Sequence, residues 1–132
     1  MIGSSSPSQF GYKVQFNPDG NLLVVSAIYK SFGTTIKRAG SVILYRYNDN
    51  DSGDDDDDDD GSSSWIQVGQ ELKGKENGDW FGSSIALLQE EDDAQQDQTT
   101  KLHLAVGATG RNNGHAGYVQ VFELSLVEEK EG

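Results

Sequence analysis

The side chains able to do acid–base, nucleophilic or metal chemistry are few in this sequence, and they are scattered. Its two histidines, His103 and His115, sit in a strand-like pattern and a Gly-rich turn, and neither has metal-ligand spacing. Glu71 and Asp79 could be drafted as a carboxylate pair for general acid–base work. Asp79, however, stands between Gly78 and Trp80 just ahead of Phe81-Gly82, the setting of a turn residue. No Gly-x-Ser-x-Gly elbow, phosphate loop or dinucleotide fingerprint occurs. Cysteine is absent, which excludes disulfide and thiolate chemistry. The densest functional group is the run Asp54 to Asp60, which could attract calcium weakly and non-specifically but supplies no rigid oxygen cage. No catalytic residue, cofactor or specific metal site is expected, and the chain reads as a non-enzyme.

Charge is concentrated rather than general. The formal net charge is -12, but residues 48–60 hold nine of the 22 acidic residues and no basic one. Without them, 13 acids face 10 bases, so the remainder is only mildly acidic and lacks the basic stripe of a nucleic-acid binder. Seven adjacent carboxylates repel one another and bury nothing, so residues 48–64 are expected to form a disordered insertion. No apolar run approaches the roughly 20 residues of a membrane-spanning helix, and no membrane insertion is expected. Residues 1–7 have neither a basic n-region nor an apolar h-region, so no signal peptide is read there.

The elements that must position any site are strands. Hydrophobic residues make up 34% of the 132, with 16 glycines and two prolines, a balance suited to short strands joined by Gly-rich turns. Strands are predicted from Phe10, over Leu22–Ala27, over Ser41–Tyr47, over Ser64–Gly74, over Phe81–Leu88, from Leu102, and from Tyr118 to Leu124. Asn17-Pro18-Asp19-Gly20 is a strong turn signal. Three features recur in one order, the mark of an internal repeat. Phe10-Gly11 returns as Phe81-Gly82, Val25-Ser26-Ala27 as Val106-Gly107-Ala108, and the Gly40-led strand as the Gly117-led strand.

These residues resemble the FG-GAP repeat, the blade unit of integrin α-subunit-like β-propellers. The match is carried by Phe81-Gly82-Ser83-Ser84, Val106-Gly107-Ala108 and Gly117-Tyr118-Val119-Gln120-Val121-Phe122. Trp65 to Gln70, including Gly69, with the later Gly74 and Gly78-Asp79-Trp80-Phe81-Gly82, looks like the variant in which a Trp-led strand links successive blades. The resemblance implies structural roles for Phe10, Gly11, Ala27, Gly40, Trp65, Gly69, Gly74, Asp79, Phe81, Gly82, Gly107, Ala108 and Gly117. Thr109 and Ile28 stand where the motif has proline, and Ser26 where it has glycine. The calcium loop of many members has no counterpart, since Asn17–Asn21 is too short and Glu90–Asp97 has no glycine.

The expected fold is all-β, about two four-stranded antiparallel propeller blades, the second incomplete. Residues 1–8 form a flexible lead-in, 9–74 a first blade, 75–126 a second blade with an acidic loop at about 89–100, and 127–132 a frayed tail. The resemblance implies a binding or structural module at a cell surface or outside the cell, engaging a protein or carbohydrate. The alternatives are a propeller segment of a larger enzyme whose catalytic residues lie elsewhere, and an acidic protein acting on cations through its Asp run. Since propellers close with about 4 to 8 blades, two open blades imply self-association or the remainder of a longer propeller.

Overall fold

The computed structural model of the chain describes residues 7–48, 64–90, 99–110, 114 and 116–127. Seven strands run in order: β1 (Phe10–Phe16), β2 (Leu22–Ala27), β3 (Ser41–Tyr47), β4 (Trp65–Lys73), β5 (Phe81–Glu90), β6 (Thr99–Ala108) and β7 (Tyr118–Val127). They form two antiparallel sheets, β1-β2-β3-β4 and β5-β6-β7, in simple sequence order, and neither closes on itself. The described residues include no helix. The all-β expectation is met.

Local chemistry explains the turns. Asn17 Oδ1 accepts the Leu22 N–H at 2.8 Å while its carbonyl accepts the Gly20 N–H at 3.0 Å, so one residue closes the β1–β2 hairpin twice. Gly20 supplies the positive φ of 75° that the turn needs. β3 and β4 close by the pair Tyr47↔Trp65, followed by a backbone hydrogen bond from Asn48 to Ser64. The acidic insertion expected at 48–64 otherwise lies outside the described residues, as do the lead-in up to residue 6 and the tail beyond 127. The acidic loop expected at 89–100 is shorter than that: β5 runs through Gln89 and Glu90, and β6 begins at Thr99. Cross-strand pairing of Gln89 with Leu102 and of Glu90 with Lys101 carries the ladder into polar sequence, where apolar periodicity no longer signals a strand.

The two sheets share a ground plan down to single hydrogen bonds. Phe10 pairs Ala27 and Val14 pairs Val25 around a bulge, just as Phe81 pairs Ala108 and Ile85 pairs Val106 around another. The residue before each Phe has a positive φ, 54° at Gln9 and 56° at Trp80, and the Gly after it has 94° at Gly11 and 99° at Gly82. Tyr12 N–H donates to the Gln9 carbonyl at 3.1 Å and Ser83 N–H to the Trp80 carbonyl at 3.0 Å. The Phe10 ring meets Tyr45 edge-on at 6.5 Å, and the Phe81 ring meets Phe122 edge-on at 6.2 Å.

β5 lies over β1, β2 and β3, and the core forms between the sheets. Leu22, Val24, Val42 and Leu44 of the first sheet meet Phe81, Leu102, Leu104, Val106 and Ala108 of the second. Each buried Val, Leu or Phe among them contributes about 1.5–3 kcal/mol relative to exposure, so this interface is a large source of stability. Polar contacts also cross it: Leu87 N–H donates to Gln15 Oε1 at 3.2 Å, and Asn17 Nδ2 donates to Gln89 Oε1 at 3.0 Å.

Candidate functional site

Most of the residues singled out from sequence converge on the junction where the chain passes from the first sheet to the second. Gly40 bridges to Phe81 in parallel register, and Phe81 N–H donates to the Ala39 carbonyl at 2.8 Å. Gly74 sits beside the Ala39 carbonyl so closely that a side chain there would collide with backbone. Ala108 pairs with Phe81, Gly117 faces the Ala108 and Thr109 carbonyls, and Gly107 faces Ser84. Phe10, Gly11 and Ala27 make the equivalent corner of the first sheet. Trp65 and Gly69 lie away from both corners. Trp65 opens β4 against Phe16 and Tyr47, at ring separations of 5.9 and 5.3 Å, and Gly69 has the positive φ of the β4 bulge.

Asp79 is the hub of the junction. It is buried, and its Oδ2 accepts from Lys75 N–H at 2.9 Å, Glu76 N–H at 2.9 Å and the Tyr118 hydroxyl at 3.0 Å. Its carbonyl accepts the Gly110 N–H at 2.9 Å. The turn role read from Gly78-Asp79 is therefore present, and Tyr118 is a partner that no local pattern announced. Burial, and then the hydrogen bond and charge of Asp79, push the Tyr118 phenol up to about 12. Lys75 Nζ lies 5.3 Å above the Tyr118 ring.

Beside this hub, Lys75, Glu76, Asp79, Ala116, Gly117 and Tyr118 line a cleft of about 320 Å³. Ser84, Gly107, Thr109 and Val119, with Ala108 and Ala116–Tyr118, line a shallower neighbour of about 470 Å³. These are small-molecule dimensions. The lining offers one ammonium group, hydroxyl and carbonyl acceptors and an aromatic face, which suits a polar ligand held by hydrogen bonds. Among the described residues of the lining, no nucleophile is set against a base. Among the described residues, Asp79 Oδ2 accepts from three donors, one of them the Tyr118 hydroxyl.

The other candidates are not brought together. Glu71 lies near Tyr45, whose phenol is raised by burial and then by that negative charge, whereas Asp79 faces Tyr118. The two drafted carboxylates thus face different phenols. His103 Nε2 is 3.0 Å from Glu90 Oε1 on the outward face of the second sheet, and His115 and Asp54 to Asp60 lie outside the described residues. No group of three or more His, Cys, Asp or Glu able to hold a metal occurs among the described residues. At the opposite end of the sheet interface, Asn17, Asp19, Asn21, Arg46, Gln89 and Thr100 surround a crevice of about 30 Å³, room for one water. Scanning against family models gives no match, and comparison with characterised proteins and with solved structures gives none either.

Proposed function

We propose that this chain is a segment of an FG-GAP-type β-propeller and serves as a non-catalytic module that binds a protein or glycan at a cell surface. The observation that carries this reading is the repetition of one strand geometry in two sheets: the same bulge, the same paired positive φ values and the same edge-on ring pair. Sheets that repeat in this way and pack one on the next are what a radial array of blades requires. The cleft at Lys75, Glu76, Asp79 and Tyr118 is the place for a polar ligand. It lies where chain segments meet above a rigid hub, the usual location of binding residues on a β scaffold. Glycan and extracellular-protein arrays probed with the purified chain test the reading. The expected result is saturable binding of a ligand, at roughly micromolar Kd, weakened by Lys75→Glu. Binding to no member of either array, or turnover of a bound substrate, overturns it.

A further inference from the structure

The two sheets meet front to back, and this has a consequence at both ends of the molecule. On the first sheet the covered face carries Val24, Val42 and Leu44. The matching registers place Ala105, Val119 and Val121 at the equivalent positions of the second sheet, on its outward face. Val42 and Leu44 are 0% and 6% exposed, but Val119 and Val121 are 71% and 65% exposed. The reverse holds for the covering face. Ile85 and Leu87 pack into the core, while their equivalents Val14 and Phe16 are 60% and 56% exposed on the far side of the first sheet.

Each molecule therefore carries both halves of its own internal interface a second time, with no described strand seated on either. A glycine pair gives independent support. A Cβ built on Gly82 would come within 2.6 Å of Ser26 Cβ and 3.2 Å of the Ser41 carbonyl, because that corner is pressed onto the first sheet. Gly11 has the same bulge and nearly the same φ, yet a Cβ there meets nothing within 4 Å. The position that would press against Gly11 is the equivalent of Ser26, which is Gly107 on the outward side of the second sheet.

We propose that copies of this chain stack head to tail, the outward face of the second sheet (Ala86, Ala105, Val119, Val121) seating on the outward face of the first sheet of the next copy (Val14, Phe16, Ile43, Tyr45). The occupant is a second copy because the covering face that Val119 and Val121 lack is present, in the right register, on the same molecule. The contact is heterologous, so it closes into a ring or continues as a filament according to its rotation. It goes beyond the binding role proposed above and stands whether or not a glycan or protein ligand is found, since it rests on the apolar strand faces and not on Lys75, Glu76 or Asp79, although Val119 borders the hollow beside the Asp79 cleft.

The test is sedimentation velocity on the full chain across a dilution series, with Val121→Arg and Val14→Arg as variants. The wild-type chain should associate with rising concentration, and each variant should weaken that association at least about tenfold. A one-to-one mixture of the two variants should form a heterodimer and nothing larger, because one intact contact survives between them. Circular dichroism melting should show both variants folded, and Val119→Lys replaces Val121→Arg if the latter lowers the melting temperature. A wild-type chain that stays monomeric overturns the proposal. So does a variant that associates like wild type, which would mean like faces pair, and so does a mixture that gives no heterodimer.

Discussion

Phe81 and Phe10 occupy the same place in their sheets, after a residue of positive φ and before a glycine, with an edge-on ring beside each. Phe81 is wholly buried and Phe10 only partly. The difference lies not in the local plan but in what lies across from it: a sheet covers Phe81, and no described residue forms a sheet over Phe10. Burial in a repeated fold is thus set by neighbours, while the backbone is set by the repeat itself. The same holds for the polar corner. Asp79 and Ser8 are equivalent, both buried, and their carbonyls accept from Gly110 and Tyr29 in the same way, at 2.9 and 3.0 Å. Only Asp79 has a carboxylate, which ties down the linker from β4 and reaches Tyr118; the first sheet has Ser41 where Tyr118 stands.

Truncating the two phenylalanines should split this pair most widely. Phe81→Ala should cost about 3–5 kcal/mol, and Phe10→Ala well under half of that, as read from urea unfolding midpoints. Equal costs would mean that the intersheet contact contributes little. Asp79→Ala should follow, at about 2 kcal/mol, since it leaves the Lys75 and Glu76 amides without their acceptor in a partly buried turn. Ser8→Ala should cost only a few tenths, because its recorded role runs through the backbone carbonyl. The glycines come next. Both Gly11→Ala and Gly82→Ala incur left-handed strain, but only the latter also collides with Ser26, so it should be the worse by about 1–3 kcal/mol.

The smallest effect is alkaline. Tyr118 is held protonated to about 12, against 10.0 for the free phenol. Its raised value means the folded chain keeps the proton that the unfolded chain loses. This contribution is complete below pH 10 and is lost as pH climbs from 10 towards 12. Tyr118→Phe should flatten that part of the decline, measured by denaturant midpoints across the range, and should leave the slope below pH 10 unchanged. A wild-type and variant pair with identical slopes would remove Tyr118 from the account.

The seven strands were legible because alternation and turn residues mark them, and Asn17-Pro18-Asp19-Gly20 announced its hairpin outright. The paired Phe-Gly corners were also legible, since positive φ there requires the glycine that the eye can count. Three things were hidden. The β5 and β6 extensions carry Gln89, Glu90, Thr99 and Thr100, where backbone pairing persists without an apolar stripe. The partnership of Asp79 with Tyr118 joins segments far apart in sequence, and no local spacing encodes it. The reach of Asn17 to Gln89 is hidden for the same reason, because a residue that reads fully as a turn former gives no hint of a second use.

The backbone hydrogen bond between Asn48 and Ser64 closes β3 onto β4 beyond the Tyr47↔Trp65 pair. That bond holds the two ends of the connection side by side at the edge of the sheet. Lengthening such a segment adds closure entropy that grows only logarithmically, about 0.6 kcal/mol for each doubling. The position is therefore a natural grafting point. A peptide epitope, a fluorophore acceptor sequence or a second domain with neighbouring termini could be spliced in there, its ends held together by the Asn48–Ser64 bond.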